Sequence, residues 1–164
     1  WLFMENFKRI ESSGGAPFPV EDAIAKTLDA LALSATSLGL TPQSNRTVLW
    51  VDDNPSNNFR ERRMLERLGI SFTISTGTDD ALGKLVRYEY AAIISDMSRP
   101  PDNLAGYSLL EYARKKLHIQ TPYILYASSA LPEHVAAAKK KGAYGQTSTP
   151  HGLIELVKQA LGIS

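Results

Sequence analysis

Thr47-Val48-Leu49-Trp50-Val51-Asp52-Asp53-Asn54-Pro55 opens as an apolar run of strand length and closes on two adjacent carboxylates and a turn. From here the chain keeps a regular rhythm, in which short apolar runs alternate with segments of helical period. That is the pattern of βαβ units built into a parallel sheet. Five such pairs are read, with strands at 47–51, 71–75, 91–95, 122–127 and 144–148. A helix is expected after each strand, and the last carries Leu153, Leu156, Val157, Ala160 and Leu161 as one apolar stripe. Gly69 and Gly142 fall just past the ends of the first and fourth helices, where a left-handed residue commonly closes the last turn. The expected class is therefore α/β, a doubly wound five-stranded parallel sheet flanked by helices over 47–164.

The segment 1–46 has a different texture. Ser12-Ser13-Gly14-Gly15-Ala16-Pro17 and Thr41-Pro42-Gln43-Ser44-Asn45 read as linkers. Between them, 21–37 has helical character, with Ile24, Leu28 and Leu31 on one face and Glu21 and Asp22 in the first turn. One amphipathic helix cannot bury its stripe alone, so this extension needs a partner surface. A chain that opens at Trp1 reads as a piece excised from something longer. Its end soon after the last helix implies that any effector lies upstream, on another protein, or on the domain surface itself.

Composition excludes several functions. There is no cysteine among the 164 residues, so disulfides, thiolate metal sites and thiol nucleophiles are ruled out. A formal net charge of +1 gives no global field for nucleic acid or acidic membranes. No apolar run approaches the ~20 residues that span a bilayer, and Trp1-Leu2-Phe3-Met4 is too short for a secretory signal. A cytoplasmic setting, with neither nucleic acid nor membrane as partner, is expected.

In open parallel sheets function collects outside the carboxyl ends of the strands. Asp52-Asp53 follows the first strand and Asp96-Met97-Ser98-Arg99-Pro100 the third, so neighbouring strands would bring three carboxylates into one crevice. A single Asp at a strand end is ordinarily a cap or a turn former. Three together repel one another, and a divalent cation removes that penalty. Oxygen-only ligands favour Mg²⁺ or Mn²⁺ over zinc.

Val48-Leu49-Trp50-Val51-Asp52-Asp53-Asn54, followed by Met64-Leu65-Glu66-Arg67-Leu68-Gly69, resembles the opening of response-regulator receiver domains. Ala92-Ile93-Ile94-Ser95-Asp96-Met97 is similar to that family's phosphoacceptor strand, Gly106-Tyr107-Ser108-Leu109-Leu110 to the start of its third helix, and Lys141-Gly142-Ala143 to the approach to its fifth strand. The resemblance implies a flavodoxin-like receiver fold, a two-component or phosphorelay role rather than an enzyme, and a histidine kinase or phosphotransfer protein as partner. It also implies that Asp96 accepts the phosphoryl group and that Asp53 binds Mg²⁺ directly. Asp52 would act mainly through water, and the backbone carbonyl of Ser98 would supply another oxygen. Receiver-like domains often pair through their last helices, so a homodimer is a further expectation.

The family pattern breaks at four points. Its Lys before Pro is here Thr149-Pro150, a neutral donor in place of a cation. The Thr or Ser that ends the fourth strand aligns with Ala127, and a bulge would be needed to give Ser128 that role. The aromatic switch position holds Gln146, and the loop after Asp96 is about two residues longer than usual. The acidic pocket is complete while the relay that reads it is not. This describes an atypical receiver or, alternatively, a pseudo-receiver acting as an unphosphorylated interaction module. A metal-dependent phosphohydrolase or nuclease fits less well, because Asp96-Met97-Ser98 lacks a second acid. His118, His134 and His151 are isolated and read as surface or capping residues, and Trp50 as core. Arg60, Arg62, Arg63 and Arg67, interleaved with Glu61 and Glu66, read as an exposed salt-bridged face, with docking of a phosphodonor protein as the sharper alternative.

Overall fold

Apolar strands buried on both faces are what a parallel sheet covered by helices on each side requires, and the computed structural model, which describes residues 45–164, has that arrangement. The helix expected over 21–37 lies outside the described residues. The elements are β1 (Thr47–Val51), a 3₁₀ turn (Pro55–Asn58), α1 (Phe59–Glu66), β2 (Ser71–Ser75), α2 (Thr78–Arg87) and β3 (Ala92–Ser95). They continue with α3 (Ala105–Lys115), β4 (Tyr123–Tyr126), α4 (Pro132–Lys140), β5 (Gly145–Thr147) and α5 (Pro150–Leu161). The first two strands fall where expected, and the last three are shorter at their ends by one or two residues.

All pairings are parallel, in the order β2-β1-β3-β4-β5. The chain leaves β1 toward β2 on one side and returns to β3 on the other, so the sheet's switch point lies between β1 and β3. Alternate residues of each strand feed two cores. Leu49, Val51, Ile93, Tyr123 and Leu125 meet Ala81 and Leu85 of α2, Leu109, Leu110 and Ala113 of α3, and Ala138 of α4. On the other face Val48, Trp50, Ala92, Ile94 and Ile124 meet Leu65 of α1 and Leu153 and Val157 of α5. Each fully buried Leu or Ile here contributes about 1.5–3 kcal/mol relative to exposure. Trp50 is core, with Phe72 and Tyr126 edge-on at 5.7 and 6.3 Å between ring centroids. Gly69 and Gly142 take φ +83° and +104°, the left-handed conformation their positions after α1 and α4 demand.

Register places the site. Val51 pairs with both Ser75 and Ser95, so β1 and β3 end level. The Asp96 N–H donates to the Val51 carbonyl at 3.1 Å and the Asp52 N–H to Ser75 at 2.9 Å, which sets the two aspartates side by side at the switch point.

Candidate functional site

Asp52, Asp53 and Asp96 each offer a carboxylate oxygen to a cluster in which these atoms lie within 4.8 Å of one another. Asp52 is buried, Asp96 half-buried and Asp53 exposed. Local turn chemistry fixes Asp52: its Oδ1 accepts the Asn54 N–H at 2.7 Å and its Oδ2 accepts Asn58 Nδ2 at 2.5 Å. Burial pushes the Asp52 carboxyl up, against the Asn54 N–H that holds it down, and the Asp53 charge adds to the rise. Asp96 is pushed up to about 6, first by burial, then opposed by Arg99, with Asp52 and Asp53 adding repulsion. Ser98 stands exposed on the loop just beyond.

Arg99 is the site residue that sequence reading missed. It is only 6% exposed, and its Nη1 pairs with Asp96 Oδ1 and donates to Ser95 Oγ at 2.9 Å. Its Nη2 donates to Thr78 Oγ1 at 2.8 Å, at the start of α2, and to the Ala105 carbonyl at 3.2 Å, at the start of α3. The β3–α3 loop makes this possible. Arg99 and Asp102 exchange backbone N–H···O bonds, both 2.9 Å, across Pro100-Pro101, whose peptide bond is cis. Asp102 then anchors the loop by accepting the Leu104 N–H at 2.9 Å and the Ser108 hydroxyl at 2.8 Å. Gly106 closes the base, because a Cβ there would lie 2.5 Å from the Asp96 carbonyl oxygen and 2.7 Å from Leu125. The only signal in the sequence was the pairing of an Arg with an Asp across a Pro-Pro step.

The β4–β5 side is different. Its ladder continues from Tyr126 paired with Thr147 to the Ala127 N–H donating to Thr147, without a bulge, and Ser128 stands exposed beyond it. Thr149 caps α5, its hydroxyl accepting the Gly152 N–H at 3.1 Å. Gln146 is buried and donates to the Ser129 carbonyl at 2.7 Å, which ties it to the β4–α4 loop.

His118, His134 and His151 are exposed, and His134 Nδ1 lies 2.7 Å from Ser129 Oγ near the start of α4. The α1 face needs a correction. Arg63 and Glu66 form the expected surface pair, but Glu61 and Arg62 are half-buried. Tyr126 OH donates to Glu61 at 3.2 Å, while Arg62 lies over Trp50 at 5.5 Å and donates to the Pro55 carbonyl at 2.6 Å. Long side chains cover the Trp ring there instead of pairing in solvent.

A doubly wound sheet with three carboxylates and a buried cation at its switch point defines a flavodoxin-like fold with a polyanionic site. The structure is similar to the receiver domain of the Francisella response regulator 1452, at 27% identity and TM-score 0.64, with 72% of this chain and 98% of that one covered. It is also similar to the Vibrio cholerae chemotaxis response regulator CheY4, at 24% identity and TM-score 0.61, covering 72% and 100%. The sequence is similar to the sensor histidine kinase RcsC of Escherichia coli, 29% identical over 137 residues, or 82% of this chain. The chain spans about 14% of the length of the curated relatives it matches. No protein-family model matches it. Residues 45–164 form a response-regulator receiver domain of the two-component type. Among the described residues no helix is long and apolar enough to cross a membrane.

Proposed function

We propose that this domain accepts a phosphoryl group on Asp96, with Mg²⁺ bound at the acidic crevice. The observation that carries the reading is the convergence of three carboxylates at the switch point, level with the ends of two adjacent strands. The donor set fits a hard divalent cation, being oxygen only. Asp53 and Asp96, with the Ser98 carbonyl, would hold it directly. Asp52, whose two oxygens already accept hydrogen bonds, suits contact through water. Bound there, Mg²⁺ supplies charge neutralisation for the transferring oxygens.

The donor in this reading is the phosphohistidine of a histidine kinase or phosphotransfer protein, a partner class suggested by the likeness to RcsC. An Asp96 carboxylate oxygen attacks phosphorus, the P–N bond breaks, and its electron pair leaves on the imidazole, which takes up a proton. The product is an acyl phosphate. Asp96 needs no general base, because ionisation near pH 6 leaves it a carboxylate at neutral pH. The backbone bond from Asp96 N–H to Val51 and the anchored loop keep its side chain aimed into the crevice.

One observation favours a second reading, an unphosphorylated interaction module: Arg99 already neutralises Asp96, and Gln146 is tied down where a mobile aromatic ring would report the switch. Incubation with Mg²⁺ and acetyl phosphate or beryllofluoride separates the two. An adduct seen by intact mass or by a metal-dependent fluorescence change, and lost in Asp96→Asn, supports phosphoacceptance. Mg²⁺ uptake without any adduct supports the interaction module.

A further inference from the structure

We propose that Arg99 is the resident cation of the crevice, standing in for the lysine that position 149 lacks and coupling the state of Asp96 to the start of α2 through Thr78. The phosphoryl half of this inference rests on Asp96 as phosphoacceptor; the cation half rests on geometry alone.

A buried guanidinium is costly unless it is paired and hydrogen-bonded. Arg99 meets that condition through four partners on three segments: Ser95 and Asp96 at the end of β3, Thr78 on α2 and the Ala105 carbonyl on α3. Its Nε is buried with no partner, so one donor is left over. The Arg99–Asp102 hairpin is the device that turns the side chain inward, since its backbone exchange closes around Pro100-Pro101. Position 149 cannot share the task. Thr149 is exposed and neutral, and its oxygen is engaged by Gly152.

Charge gives Arg99 two consequences. Three ionised carboxylates and one guanidinium leave a formal charge of −2, which a divalent cation balances. Arg99 and Mg²⁺ therefore compete for the Asp96 carboxylate, and removal of Arg99 strengthens cation binding. Phosphorylation has the opposite requirement. It converts the Asp96 carboxylate into an acyl phosphate whose charge lies on the phosphoryl oxygens, and the guanidinium follows that charge. Movement of Nη1 toward it strains the bond from Nη2 to Thr78, so the change is read at α2 and the β3–α3 loop. The β4–β5 side, where Gln146 holds Ser129, stays fixed.

The test uses the full chain as wild type, Asp96→Asn, Arg99→Gln, Arg99→Lys and the double variant Arg99→Gln/Thr149→Lys. By calorimetry, Arg99→Gln binds Mg²⁺ about three- to tenfold more tightly than wild type, a gain that mere loss of structure cannot produce. With acetyl phosphate it forms the adduct at least tenfold more slowly, and Thr149→Lys restores most of that loss. In the wild type the backbone amide resonances of residues 77–81 shift on beryllofluoride binding. In Arg99→Lys, which keeps the charge without the fork, the adduct forms but those shifts disappear. Weaker or unchanged Mg²⁺ binding in a folded Arg99→Gln overturns the inference, as does a double variant no faster than the single. If Arg99→Gln does not fold, Arg99→Lys carries the decision through the same amide shifts. If wild type forms no adduct at all, the phosphoacceptor reading fails by itself, and the Mg²⁺ comparison alone decides whether Arg99 is the resident cation.

Discussion

The two halves of the sheet's carboxyl edge handle polar groups in opposite ways. At β1 and β3, Asp52, Asp53, Asp96 and Arg99 bring four ionisable groups together, and backbone donors and hydroxyls are spent on orienting them. At β4 and β5 three neutral side chains are spent on the backbone: Thr149 on the cap of α5, Gln146 on Ser129, and Thr147 Oγ1 accepting the Thr149 N–H at 3.3 Å. A protein tolerates uncompensated like charges where they serve chemistry, because elsewhere they only raise the energy of the fold. The charged half is therefore where ligand and signal are expected to act, and the neutral half serves as its frame.

The largest contrast concerns the adduct itself. Asp96→Asn should abolish labelling by acetyl phosphate completely, as measured by intact mass, whereas Ser128→Ala should leave it within about twofold, since Ser128 is exposed beyond an unbulged ladder. Equal labelling of Asp96→Asn and wild type would remove the functional distinction between the two halves. A second contrast uses glycine. Gly106→Ala drives a Cβ onto the Asp96 carbonyl, which is backbone and cannot yield, so a loss of about 1–3 kcal/mol is expected in urea unfolding. Gly145→Ala on the β5 side meets Leu156 Cδ2 at 2.9 Å, the end of a flexible side chain on α5, and should cost less. The reverse order would mean that the β3–α3 loop is softer than its anchoring implies.

Much of this was legible in the sequence, and the part that was not has a physical cause. Strand ends at Val51 and Ser95 followed from apolar runs interrupted by Asp, and the three-carboxylate crevice followed from the rule for parallel sheets. Periodicity carries no information on where a loop side chain turns, and Arg99 is buried by a Pro-Pro hairpin that no periodic pattern announces. Glu61 and Arg62 of α1 misled for a related reason. Charge alternation implied a solvated face, but Arg62 found a Trp ring and a carbonyl within reach, and Glu61 a tyrosine from β4. Thr149 was visible as a substitution, yet its commitment to the helix cap depends on backbone geometry.

Metal and pH sharpen the comparison further. The folded Asp96 carboxyl is raised from 3.8 to about 6, so the stability it contributes is full below about pH 3.8 and is lost as pH rises through 6. Mg²⁺ needs the ionised form, shared with Asp52 and Asp53 and facing Arg99, and so it offsets this loss in the range where the loss occurs. At ~100 times its Kd, Mg²⁺ should add about 2.7 kcal/mol, a shift of several degrees in Tm. The increment should shrink at pH 5 and vanish with chelator. Thermal scans at pH 5 and 7.5 with an identical Mg²⁺ increment would show that the cation does not meet Asp96.

The smallest expected effect is on the neutral half. Thr149→Ala removes the side-chain cap of α5 and leaves the Gly152 N–H without its acceptor, a loss of about 1 kcal/mol in urea unfolding. Because the charge in the crevice is unaltered, Mg²⁺ affinity and the rate of adduct formation should stay within about twofold of wild type. Only such a split identifies position 149 as part of the frame: if Thr149→Ala slowed adduct formation tenfold at unchanged stability, the threonine hydroxyl would be reaching the phosphoryl group, and the division between a reactive and a structural half would be drawn in the wrong place.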